Sequence, residues 1–165
     1  MNWVLVGMKG CGKSTLGEAL SILANRAFYD IDNLIEQFHF EASKTKLHYS
    51  EIYRRIGAQQ FRELEQKAVD SVTNISNAVI ATGGGTLMNA TSAKKLKQSG
   101  LIIYLHQSEP AFLSKLHANQ PICNIEDNSG PYATWQHYYQ RRHQVFQQHH
   151  HLLFSPNYQS VTTDA

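Results

Sequence analysis

Apolar residues in this chain fall into short unbroken runs separated by stretches of helical spacing. Trp3-Val4-Leu5-Val6 reads as a buried strand, and Leu16, Ala19, Leu20 and Leu23 then share one face of a helix over about 14–25. Ala27-Phe28-Tyr29 makes a short second strand that runs into Asp30-Ile31-Asp32, after which Leu34, Ile35 and Phe38 mark another helical face. Residues 40–49 are polar and read as irregular. Ser50 is placed to cap a short helix over 51–56 that Gly57 ends. A longer helix over 58–73 follows, with Phe61, Leu64, Ala68, Val69 and Val72 at helical spacing.

The second half continues the alternation. Ala78-Val79-Ile80-Ala81 predicts a third strand, 90–98 a helix stopped by Gly100, and 101–105 a fourth strand. Ser108 and Pro110 open the next helix. Residues 117–132 hold two prolines, a glycine and several Asn and Asp, and are expected to form a mobile, lid-like loop. A helix over 134–148 and a fifth strand at 151–154 close the pattern, and 156–165 carry none. Strands alternating with helices predict an α/β domain with a parallel sheet and helices on both faces.

Composition narrows the function classes without choosing one. A chain of 165 residues suits one domain with a real core. A net charge of +2 is too weak to argue for nucleic acid or a membrane surface as partner. No apolar run approaches the roughly 20 residues of a membrane span, and the N-terminus has no signal-peptide pattern. Cys11 and Cys123 form neither a C-x-x-C pair nor a disulfide framework, so a cytoplasmic location is expected.

The chemistry concentrates around Gly7-Met8-Lys9-Gly10-Cys11-Gly12-Lys13-Ser14-Thr15, which fits G-x-x-x-x-G-K-[ST] between a strand and a helix. Such a loop turns successive backbone N–H groups toward phosphate oxygens, and the helix adds its positive end. Gly10, Cys11, Gly12, Lys13, Ser14 and Thr15 are therefore the candidate nucleotide-binding residues. Lys13 is expected at the β- and γ-phosphates, the Ser14 hydroxyl on Mg²⁺ and Thr15 near the α-phosphate. Cys11 fills an x position, its thiol packing rather than reacting.

Three further features stand at strand ends, where an open parallel sheet binds ligands. Asp30 and Asp32 are suited to hold Mg²⁺-bound water and to accept a proton from a hydroxyl. Gly83-Gly84-Gly85 exposes backbone amides and permits close approach. Arg62, beside the apolar Phe61, can grip a carboxylate with two hydrogen bonds. The run His149-His150-His151 is not read as a metal site, because neighbours on a helix point in different directions. Tyr132, Trp135, Tyr138 and Tyr139 have the spacing of a packed helix face.

Taken in order, Gly-x-Gly-Lys-Ser-Thr, Phe28-Tyr29-Asp30-Ile31-Asp32, Phe61-Arg62-x-x-Glu65 and Thr82-Gly83-Gly84-Gly85 resemble the shikimate kinase family over about residues 3–155. The resemblance implies a three-layer P-loop kinase with a five-stranded parallel sheet in the order 2-3-1-4-5. It makes 1–165 a single kinase domain, with a core over 1–155, a substrate-binding segment near 33–61 and a lid near 117–132. The implied reaction moves the γ-phosphate of ATP to the 3-hydroxyl of shikimate with Mg²⁺ in a monomer. Lys13 and Asp32 are then catalytic, Ser14 and Asp30 serve the metal, and Asp32, Arg62, Gly83, Gly84, Gly85 and Arg142 bind the substrate. Arg142 rather than Arg141 is chosen because Phe146 stands four residues on, where the family has Arg-x-x-x-Tyr.

The pattern breaks in the lid. Gln120-Pro121-Ile122 stands where the family carries Arg-Pro-Leu, so the nucleotide-side contact at Gln120 lacks a positive charge. Lys115 and His117 are the substitutes the sequence offers, and Gln120→Arg is expected to raise turnover. The usual basic residue near the adenine and the family's closing helix are also missing, leaving Pro156 and Asn157 as candidate adenine contacts. A kinase for another sugar acid such as gluconate, or a nucleotide-binding homologue with little turnover, are the competing readings.

Overall fold

The computed structural model describes residues 1–118 and 131–155, and the side chains of 1–114 and 135–155. Strands β1 (Asn2–Gly7), β2 (Ala27–Asp30), β3 (Ala78–Ala81), β4 (Gly100–Leu105) and β5 (Leu152–Phe154) form one sheet. Their order is 2-3-1-4-5, and every neighbouring pair is parallel. The helices are α1 (Lys13–Leu23), α2 (Ile31–Ser43), α3 (Tyr49–Thr73), α4 (Ala90–Ser99), α5 (Glu109–Ala118) and α6 (Pro131–His149).

Strand alternation explains the layers. Leu5, Val79 and Leu105 point to one face, where Leu16, Leu20 and Phe28 meet them. Val4, Val6, Ile80, Ile102 and Tyr104 point to the other, against Ile31, Ile35, Val69, Leu96 and Phe146. A central strand buried on both faces must be apolar at successive positions, which is why these runs are unbroken. Among the described residues no helix is long and apolar enough to cross a membrane.

The sequence reading needs three local corrections. Residues 40–43 continue α2 instead of being irregular, and the helix ends at Lys44 in a left-handed conformation. Its buried inner residue there is His39, not an aliphatic, so the apolar spacing breaks off early. The cap of α3 is His48 rather than Ser50: the His48 ring accepts from Ser50 N–H while Glu51 accepts from His48 N–H. Helix α6 starts at Pro131, three residues before the expected start. The expected break at Gly57 is present, with φ 80° and ψ 171° inside α3.

Asn2 is the polar residue that the apolar pattern passes over. It is fully buried at the start of β1, where its amide donates to Ile75 O at 2.7 Å and accepts from Ala78 N–H at 3.0 Å. It thereby ties the α3–β3 connection to the central strand. Asn2→Leu is expected to destabilise the fold by about 2–4 kcal/mol, since two buried backbone groups lose their partners. A lower urea midpoint at unchanged slope checks this.

Candidate active site

One cleft of about 600 Å³ opens beyond the carboxyl ends of β1, β2 and β3. It is lined by Gly10, Gly12, Lys13, Ser14 and Thr15 on one side and by Asp32, Arg62, Gly83, Gly84, Gly85 and Arg142 on the other. Asp30 lies between them. Residues from opposite ends of the chain thus converge on a single space.

The loop is shaped by left-handed backbone at Gly10 (φ 76°) and Gly12 (φ 92°), the latter capping α1. Lys13 is 7% exposed, and its ammonium donates to Met8 O at 2.8 Å and Gly7 O at 3.0 Å. Cys11 differs from the other loop residues named. Its N–H bonds Met8 O at 3.3 Å, and its thiol is buried with Leu5, Val79 and Leu105 rather than facing the cleft. Gln120, Pro156 and Asn157 lie outside the described residues, as do the side chains of Lys115 and His117.

Asp30 links the loop to α2. Its Oδ2 accepts from Ser14 Oγ at 2.6 Å, and its Oδ1 accepts from Asp32 N–H at 2.9 Å, capping α2. Asp32, one residue into that helix, is half-buried on the cleft wall. Burial, with Asp30 and Glu65 nearby, pushes its carboxyl up to about 7 against the opposing pull of Lys13 and Lys9. A Cβ on Gly83 would sit 2.8 Å from Asp32 Oδ1, so the triple-glycine turn leaves room for this carboxyl.

The two arginines meet over that turn. A Cβ on Gly85 would lie 3.2 Å from Arg142 and 3.3 Å from Arg62 guanidinium nitrogens. Arg62 pairs with Glu65 at 2.6 Å, and Glu65, 3% exposed, also accepts from Thr86 Oγ1 at 2.8 Å. Arg142 stacks on the Tyr138 ring at 3.8 Å, while its neighbour Arg141 is exposed to solvent. Burial lowers the Arg142 pKa from its usual value, and Arg62 acts in the same direction against Tyr138 and Glu65. Two adjacent, partly desolvated guanidiniums have the chemistry to receive a carboxylate.

Sequence reasoning did not assign Glu65, Tyr138 or Lys9 to the site, although all three line it. Glu65 had a usable signal, an acid three residues after Arg62 on one helix face. Tyr138 packs against the core, as its spacing suggests, with its ring stacked on Phe112, and it also carries Arg142, whereas its neighbour Tyr139 is buried and donates to Gln107 O at 2.7 Å. His151 closes the sheet rather than the site, its Nδ1 accepting from Ile102 N–H at 3.0 Å.

Comparison with known proteins agrees with this geometry. The family model described as shikimate kinase matches residues 9–165. A curated shikimate kinase from Alkaliphilus oremlandii is 40% identical over 112 residues, which are 68% of this chain and 62% of that protein. One from Geobacter sulfurreducens is 35% identical over 132 residues, 80% of this chain and 70% of that protein. Among solved structures, shikimate kinase from Acinetobacter baumannii in complex with shikimate has a TM-score of 0.78 at 29% identity. That match covers 94% of this chain and 83% of the other.

Proposed function

The chain belongs to the shikimate kinase family, and from this footing we propose that its cleft transfers the γ-phosphoryl group of ATP to the 3-hydroxyl of shikimate, giving shikimate 3-phosphate and ADP. The observation that carries the proposal is the shared cleft, with a phosphate loop on one wall and two arginines and a carboxyl on the other. Phosphoryl transfer asks little covalent work of a protein and depends on position and charge.

In this reading the loop amides and Lys13 hold the donor phosphates. Arg62 and Arg142 hold the acceptor carboxylate, while Glu65 and Tyr138 fix the planes of the two guanidiniums. Gly83, Gly84 and Gly85 let the acceptor ring approach the backbone. Asp32 receives the proton of the attacking hydroxyl, and a carboxyl near 7 is matched to that task at neutral pH. Ser14 Oγ and Asp30 Oδ2 are hard oxygens beside the loop, as Mg²⁺ accepts together with water and phosphate oxygens. Ser14 and Asp30 would hold the ion, which when bound supplies neutralising charge to the phosphates. The whole of 1–165 is taken as one monomeric kinase domain working in the cytoplasm, with an acceptor segment near 33–61 and a lid near 117–132.

A coupled assay of ADP release with shikimate, with gluconate and without acceptor tests the proposal. Release that depends on shikimate supports it. Release with gluconate alone, or ATP binding without release under any acceptor, rejects it in favour of the two competing readings.

Tyr138 gives a graded check. Tyr138→Leu keeps an apolar platform but removes the aromatic face beneath Arg142, a contact worth about 0.5–2 kcal/mol. The KM for shikimate is expected to rise about 3–30-fold, with the KM for ATP unchanged in the same steady-state assay.

A further inference from the structure

We propose that Lys9, an x position of the phosphate loop, is a second catalytic cation, whose ammonium neutralises the phosphoryl group during its passage from donor to acceptor. The inference rests on the kinase reading above and adds a residue that the loop motif does not require.

Lys9 occupies the seam between the two halves of the cleft. Its backbone nitrogen lies against the triple-glycine turn, 3.2 Å from where a Cβ on Gly84 would be. Its exposed side chain lines the cleft and reaches the first residue of α3, with Nζ 5.4 Å from the centre of the Tyr49 ring. Asp32 on α2 and Tyr138 on α6 line the same cleft. One side chain therefore stands among the loop, the acceptor wall and the proton acceptor.

The other cations of the cleft are fixed on one wall or the other. Arg62 is paired with Glu65 at 2.6 Å, Arg142 lies on Tyr138, and Lys13 is held by loop carbonyls on the donor side. Among the described residues, no carboxylate oxygen comes within 4.0 Å of the Lys9 ammonium. As phosphoryl moves, negative charge spreads over its three equatorial oxygens, and a positive group between donor and acceptor lowers that barrier.

The chemistry balances without a covalent part for Lys9. The bond from the γ-phosphorus to the β–γ bridging oxygen breaks, and its electron pair leaves with ADP. The acceptor oxygen bonds to phosphorus, and its proton passes to Asp32. Lys9 contributes charge alone.

The test is steady-state kinetics and shikimate calorimetry on the full chain, comparing wild type with Lys9→Met and Lys9→Arg. Lys9→Met is expected to lower kcat about 10–100-fold while the shikimate Kd stays within about twofold of wild type. Lys9→Arg keeps the charge and is expected to recover most of the rate. A wild-type kcat in Lys9→Met, or a loss confined to shikimate binding, overturns the proposal while the kinase reading stands. A wild type that releases no ADP with shikimate overturns both.

Discussion

Replacing Asp32 by Asn should lower kcat about 10²–10⁴-fold, the usual worth of a positioned base, while making the folded protein more stable at pH 8. The two effects share one cause. Burial holds the Asp32 carboxyl near 7, whereas the unfolded chain ionises it near 3.8. The folded state therefore binds this proton more tightly. Its contribution to stability is full below about 4, declines as pH rises toward 7 and stays lost above that. Because the cleft admits some water, the cost at pH 8 is on the order of 2–4 kcal/mol. Asn carries no charge and escapes it. Thermal unfolding should show Asp32→Asn higher by about 4–12 °C at pH 8, and nearly level with wild type at pH 4. In wild type, kcat/KM should fall as pH drops through about 7.

Lys13→Met should lose both activity and stability. Removing one preorganised charge from a phosphoryl-transfer site costs about 10²–10³ in kcat. The ammonium also holds Met8 O and Gly7 O at 2.8 and 3.0 Å in a buried setting. Losing it leaves those carbonyls short of a donor, at about 1–3 kcal/mol. Turnover and urea unfolding on the same preparations would therefore separate the two variants: both are poor catalysts, but only one unfolds more easily at pH 8.

These residues also show what the sequence could and could not reveal. Five strands were readable because strands buried on both faces are continuously apolar, and the loop because its glycines occupy fixed offsets. Arg142 could be chosen over Arg141 only through the resemblance to a known family; helical spacing does not distinguish adjacent residues without a fixed reference face. The same ambiguity hid the second role of Tyr138, which differs from Tyr139 by about 100° around the helix and so lines the cleft as well as packing on Phe112. Asn2 was missed because its value lies in two backbone groups that come from distant sequence, Ile75 and Ala78. Lys9 was hidden by the motif itself, which treats its position as free. The end of α2 was lost because a buried histidine breaks the apolar pattern.

The proposal depends above all on Arg62 and Arg142 jointly gripping the acceptor at the triple-glycine turn. Calorimetric titration of shikimate into wild type and Arg142→Leu, each with and without a non-hydrolysable ATP analogue, examines this most directly. One-site binding to wild type that is lost in Arg142→Leu is the anticipated outcome. No heat from wild type in either condition, or equal affinity in the two proteins, would show that the paired arginines do not form the acceptor site.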